Sequence, residues 1–151
     1  MNEVKTILYV EDDPVIQTAY QNRLQHAGFH VIPAREGLEA MKRLAVFTPD
    51  LVLLDLMLPR FNGEDVLLFI RTSPVLSKVP VIVLSANSIV DIAQEHLLES
   101  TQKRLIKSQC TPATLLAAVQ EVLNGAPAED PRPAAEAIPF PGSPMLEAVS
   151  A

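Results

Sequence analysis

Residues 50–54 read Asp-Leu-Val-Leu-Leu, a predicted strand that is apolar at every position after its first and is followed at once by Asp55. A strand with one wet face alternates polar and apolar residues. A strand with no polar position must be covered on both faces, as in the parallel sheets of α/β proteins. Similar short runs occur at 6–10 (TILYV), 29–32 and 79–84 (VPVIVL), with a weaker one at 104–106. Helical patterns fill the intervals. Asp13 is placed to cap a helix that has Pro14 at its first position, runs to about residue 26 and stops at Gly28. Residues 36–45 put Leu38, Met41, Leu44 and Ala45 along one helical face. Further helices are predicted at 64–71 and 89–99, and Thr111 and Pro112 open a last one that ends before Gly125. Five strands alternating with five helices predict an α/β fold, a doubly wound five-stranded parallel sheet with helices on both faces.

The chain's thirteen prolines are unevenly placed, with six after Gly125. Residues 126–151 are rich in Pro and Ala, show no apolar periodicity, and are expected to be a disordered or extended tail. Residues 1–125 are then the domain, with 11 basic against 14 acidic residues, a net charge of −3. That balance argues against a nucleic-acid surface. No apolar run reaches the roughly 18–20 residues of a membrane span, and the N-terminus lacks a signal-peptide pattern. A single cysteine, Cys110, makes no internal disulfide, so the expected location is cytoplasmic.

In a doubly wound sheet ligands bind beyond the carboxyl ends of the strands. Those ends carry Glu11-Asp12-Asp13, Asp55, Ser85 and Lys107. Asp13 reads as a helix cap. The other carboxylates repel one another unless a cation joins them. A hard divalent ion suits them, and Mg²⁺ suits a site with one or two direct carboxylates, several waters and a phosphate. Asp55, held by a metal and a lysine, is placed to act as a nucleophile towards a phosphoryl group, with Lys107 neutralising charge on the transferring oxygens. His26, His30 and His96 do not form a metal-spaced set, and Cys110 reads as inert.

The segments ILYVEDDP, PDLVLLDLMLPRFNG (with Pro59 and Gly63 four and eight positions after Asp55), VPVIVLSA and Lys107 occur in that order. Over about residues 5–124 the chain thereby resembles the receiver domain of bacterial two-component response regulators, in its single-domain form. The resemblance implies a flavodoxin-like fold and a role for each matching residue. Asp55 is the phospho-accepting aspartate. Asp12 is a direct Mg²⁺ ligand with Asp55 and the backbone carbonyl of Met57, and Glu11 acts through water. Ser85 is the switch hydroxyl, Lys107 the phosphate-binding lysine, and the backbone N–H of Ala86 a further phosphate contact. The implied partner is a sensor histidine kinase or phosphotransfer protein, with signalling by protein contact or phosphorelay; a homodimer stays open. The segment at 70–87 also resembles single-domain receivers that serve photoreceptor or hybrid kinases.

Departures from the family pattern cluster near the fifth strand. Arg104 stands where the family usually has Tyr or Phe, Ser108 where it has proline, Gln109 where Phe is common, and Ser100-Thr101 where Gly-Ala is frequent. They leave the chemistry at Asp55 intact and predict an atypical output face at Arg104 and Ser108. Two rivals are weaker. A Mg²⁺-dependent phosphatase with an aspartyl nucleophile normally carries a second acid two residues after it, where this chain has Met57. A flavin-binding domain needs a phosphate loop where this chain has three acids.

Overall fold

The structure, a computed structural model, describes residues 4–58, 63–85 and 100–124. The predicted helix at 89–99 and the tail at 126–151 lie outside the described residues. The chain divides into two compact units, Met1–Val119 and Gln120–Ala151. Of the second, residues 120–124 are described, and there the Asn124 N–H donates to the Gln120 carbonyl at 2.9 Å.

Five strands form one parallel sheet: β1 (Thr6–Val10), β2 (His30–Ala34), β3 (Leu51–Asp55), β4 (Val81–Ser85) and β5 (Lys103–Ile106), in the order β2-β1-β3-β4-β5. This is the doubly wound, flavodoxin-like order, and its direction reverses between β1 and β3. The described helices are α1 (Pro14–His26), α2 (Gly37–Leu44), α3 (Gly63–Thr72) and α4 (Pro112–Leu123). β3 is buried at all five positions, as a central strand covered on both faces must be. One core cluster gathers Leu8, Val10, Val52, Leu54, Val81 and Val83 with Ala40 and Leu44 of α2 and Val66, Leu67 and Ile70 of α3. Ile7, Tyr9, Leu51, Leu53, Ile82 and Leu84, also buried, alternate with these and therefore face the other side of the sheet.

Several boundaries differ from the sequence reading, each for a local reason. β2 begins at His30 because the Phe29 N–H is held by the Leu24 carbonyl at the end of α1. It runs on through Pro33 to Ala34, and the missing N–H of Pro33 is tolerated because β2 is an edge strand. β3 starts one residue late. Asp50 ties to the start of β1 instead, its N–H donating to the Thr6 carbonyl at 2.8 Å and its Oδ2 accepting from the Thr6 N–H at 2.7 Å. β4 starts after Pro80, since Val79 is bonded back to the Leu76 carbonyl. Asp55 and Ser85 are thus the last residues of their strands rather than the first of their loops.

The predicted face of α2 holds at Leu44 and partly at Met41, and is corrected at Leu38 and Ala45. Leu38 and Ala45 are exposed, while Gly37, Ala40 and Leu44 are buried and Met41 is partly so. Ala40 and Leu44 both join the core cluster, so the helix packs through a small residue as well as a large one, and apolar periodicity does not mark the small one. A short 3₁₀ turn, Lys107–Gln109, follows β5 and was not anticipated. Arg71, at the end of α3, donates to the carbonyls of Ser77, Val79 and Ser100 and to the Ser100 hydroxyl. It thereby joins the segments that lead into β4 and β5.

The expected cap of α1 is present. Asp13 Oδ1 accepts from the N–H groups of Val15 and Ile16 at 2.9 and 3.2 Å, and Gly28 takes φ 102° beyond the other end. Replacing Asp13 by Ala leaves those two donors to water and should cost about 1 kcal/mol, measured as a lower denaturant midpoint with an unchanged slope.

Candidate functional site

The reversal between β1 and β3 opens a crevice at the carboxyl ends of the strands, and the chemistry-bearing residues sit around it. Glu11 directly follows β1. It is fully buried, pinned by its N–H to the Ala34 carbonyl at 2.9 Å and by its own carbonyl, which accepts from Gln17 Nε2 at 3.2 Å. Asp12 is exposed in the turn before α1. Asp55 closes β3 and is fully buried. One carboxylate oxygen from each of Glu11, Asp12 and Asp55 lies within 4.8 Å of the other two.

Lys107 reaches over from the end of β5. Its Nζ is 3.0 Å from Asp55 Oδ2 and 3.1 Å from Glu11 Oε2. Burial alone would push the ammonium's pKa down, but hydrogen bonds to and charges of Asp55 and Glu11 outweigh it and raise it. Asp55 Oδ1 accepts from the Met57 N–H at 2.9 Å. Both oxygens of the Asp55 carboxylate are therefore fixed, one by backbone and one by lysine.

Three carboxylates against one ammonium leave a formal charge of −2 when all are ionised. Burial, and then the negative charge of Asp55, hold the Glu11 carboxyl above the usual range despite the N–H of Asp13 and the ammonium of Lys107. Glu11 Oε1 is buried 3.1 Å from the Lys107 ammonium, which also serves Glu11 Oε2 and Asp55 Oδ2. One ammonium shared among these oxygens leaves an excess of two negative charges, which matches a divalent cation with oxygen ligands. The donor set fits Mg²⁺.

Ser85 ends β4 half-buried, in register with Ile106. Arg104 is exposed on β5 and Ser108 is exposed in the 3₁₀ turn, where the Lys107–Ser108 peptide is trans. The Met57 side chain is exposed beside the crevice. Ala86 and Pro59 lie outside the described residues.

Residues the sequence reading passed over hold this arrangement in place. Gln17 donates to the carbonyls of Glu11 and Ala34 together. Tyr20 stacks on Tyr9 and bonds the Cys110 carbonyl. The spacing of Gln17, Tyr20 and Leu24 puts all three on one helical face, and a polar residue on an otherwise inward face was the available signal. Gly63, which the sequence motif already marks, presses on the backbone of Asp55 and Leu56: a Cβ there would come within 2.5 Å of the Asp55 carbonyl oxygen and the Leu56 Cα.

A parallel doubly wound domain with buried acids and a lysine at its switch point defines a class, and comparison with known proteins places the chain within it. The family model of the response regulator receiver domain matches residues 7–120. The chain belongs to that family. It is 34% identical over 140 residues to the transcriptional regulatory protein CseB of Streptomyces avermitilis, covering 86% of this chain and 57% of CseB. The receiver domain of a signal transduction histidine kinase from Syntrophus aciditrophicus superposes with a TM-score of 0.71 at 26% identity, covering 88% of this chain and 100% of the other. The phosphorylated cyanobacterial phytochrome response regulator RcpA superposes with a TM-score of 0.69 at 30% identity, covering 81% and 95%. The chain spans from about a quarter to just over half of the length of the curated relatives it matches. Among the described residues no helix is long and apolar enough to cross a membrane.

Proposed function

We propose that this domain accepts a phosphoryl group on Asp55 from a phosphohistidine of a sensor histidine kinase or phosphotransfer protein. The observation that carries this reading is the Asp55 carboxylate, gripped by Lys107 at 3.0 Å and gathered within 4.8 Å of Glu11 and Asp12. Asp12 and Asp55, with the Met57 carbonyl, would hold Mg²⁺ directly, and Glu11 through water. When bound, the ion neutralises charge on the phosphoryl oxygens.

The remaining work falls to the chain. Asp55 supplies the attacking oxygen: a P–O bond forms as the donor's P–N bond breaks, and the electron pair leaves on the imidazole nitrogen. Lys107 is close enough to Asp55 Oδ2 to follow the negative charge onto the phosphoryl group. Ser85, at the end of the neighbouring strand, donates to the product acyl phosphate. Water later attacks phosphorus and returns the carboxylate. The exposed Met57, at the position where aspartyl phosphatases carry a second acid, favours a phosphoryl-holding switch over a turnover enzyme.

Purified protein with Mg²⁺ and acetyl phosphate should gain one hydroxylamine-labile phosphoryl group per chain, and chelation of the metal should prevent it. Rapid, repeated hydrolysis of the donor with no retained label would support the phosphatase instead.

The output face departs from the aromatic switch of the family. Arg104 is exposed on β5 and always charged, so it does not take the buried position an aromatic ring takes. Structures with and without a phosphate mimic should show Arg104 solvent-facing in both. Inward burial of its guanidinium on activation counts against an atypical readout.

A further inference from the structure

Lys107 stands on weak support. β5 is an edge strand, none of its four residues is fully buried, and Ser108 gives the following peptide none of the stiffness of a proline ring. Yet the ammonium sits within 3.1 Å of two buried carboxylates, so something must hold its backbone. The holding contact comes from α1. The Tyr20 hydroxyl donates to the Cys110 carbonyl at 2.9 Å, across 90 residues of sequence. Cys110 closes the 3₁₀ turn, its N–H donating to the Lys107 carbonyl at 3.2 Å.

Tyr20 is itself aimed. Its ring lies parallel to that of Tyr9, with centroids 6.4 Å apart and planes 10° from each other. Tyr9 is fully buried in β1, two residues before Glu11 and on the same side of the sheet. One turn earlier on the same face of α1, Gln17 grips the Glu11 carbonyl. Through this helix the strand that supplies the acids and the turn that supplies the lysine share one brace.

We infer that Tyr20, stacked on Tyr9, is a positioning residue that sets Lys107 against Asp55 by holding the Cys110 carbonyl. It touches no reacting atom and acts through the turn. The inference rests on the reading of Asp55 as the acceptor.

The test is the rate of labelling by acetyl phosphate with Mg²⁺, in wild type, Tyr20→Phe, Lys107→Ala and the double variant. Tyr20→Phe removes only the hydroxyl and keeps the stacked ring. It should lower the maximal rate about fivefold, the scale of one lost hydrogen bond, and leave the half-saturating donor concentration unchanged. In the Lys107→Ala background it should do nothing further, because coupled residues are non-additive. A merely structural tyrosine would slow both backgrounds by the same factor, and that result, or no effect in wild type, overturns the inference.

A second readout is alkylation of the half-buried Cys110 by iodoacetamide in the folded protein, which Tyr20→Phe should accelerate by loosening the turn. Should Lys107→Ala label below detection, an unchanged alkylation rate overturns the inference by itself. If wild type fails to label, or label survives Asp55→Asn, the reading of the site falls. If wild type labels at Asp55 and Tyr20→Phe labels equally fast, the brace alone falls.

Discussion

Asp55→Asn should abolish phosphorylation while leaving the fold intact. The substitution keeps the volume of a fully buried side chain. Its amide oxygen can still accept from the Met57 N–H, the bond now made by Oδ1 at 2.9 Å. What goes is the nucleophilic anion. With acetyl phosphate and Mg²⁺, label should fall at least about a hundredfold, because a neutral amide is not a competent nucleophile for phosphoryl transfer. The neighbouring acids make this a sharp test. Glu11 and Asp12 lie within 4.8 Å of Asp55, so a phosphoryl group placed in the crevice could in principle meet any of three carboxylates. Borohydride reduction of the labelled protein, followed by peptide mass mapping, distinguishes them. Wild type should carry the reduced residue at position 55 alone. Equal labelling of Asp55→Asn, or a reduced residue at 11 or 12, refutes the assignment.

Much of this arrangement was legible because the physics behind it is local. Leu51–Leu54 announces a strand covered on both faces, and an α/β sheet follows from it. Asp13, Pro14 and Gly28 mark both ends of α1 because caps act over three or four residues. Strand-end acids are readable for the same reason: the doubly wound architecture sends ligands to that rim whatever the detail of packing. The features that escaped depend on distant partners. Nothing near Tyr20 in sequence shows that its hydroxyl meets the Cys110 carbonyl, or that its ring meets Tyr9. The inward face of α2 is legible at Leu44 and partly at Met41, but burial there also takes in Gly37 and Ala40, which a periodicity argument weighted to larger side chains such as Leu38 does not pick out. Arg71 looked like an ordinary basic residue at a helix end. It reaches three carbonyls of segments that only the fold brings together, including that of Ser100, one of the positions where the chain departs from the family pattern.

Gly63→Ala should damage both stability and phosphorylation, and comparison with Gly28→Ala separates the causes. A Cβ at position 63 would lie 2.5 Å from the Asp55 carbonyl oxygen and 2.5 Å from the Leu56 Cα, and 3.1 Å from the Asp55 carbonyl carbon. All three are backbone atoms at the acceptor itself, so no side chain can swing away to make room. The Gly63 N–H also donates to the Leu56 carbonyl at 3.0 Å, which holds the two segments together. Relief requires α3 or the end of β3 to move. Overpacking of this kind costs about 1–3 kcal/mol, only partly offset by roughly 0.4–1 kcal/mol from the stiffer unfolded chain. Gly28 differs in kind. Its φ is 102°, and a Cβ there meets nothing within 4 Å. The Ala variant is penalised by backbone strain, on the order of 1–2 kcal/mol, at the far end of α1 from the acids. Both variants should melt below wild type. At matched temperatures well under either midpoint, Gly28→Ala should label at the wild-type rate, while Gly63→Ala should be slower by about tenfold or more, because small misplacements of a reacting group carry large rate penalties. Equal labelling by the two variants would mean that Gly63 serves only the fold and that the position of Asp55 does not depend on it.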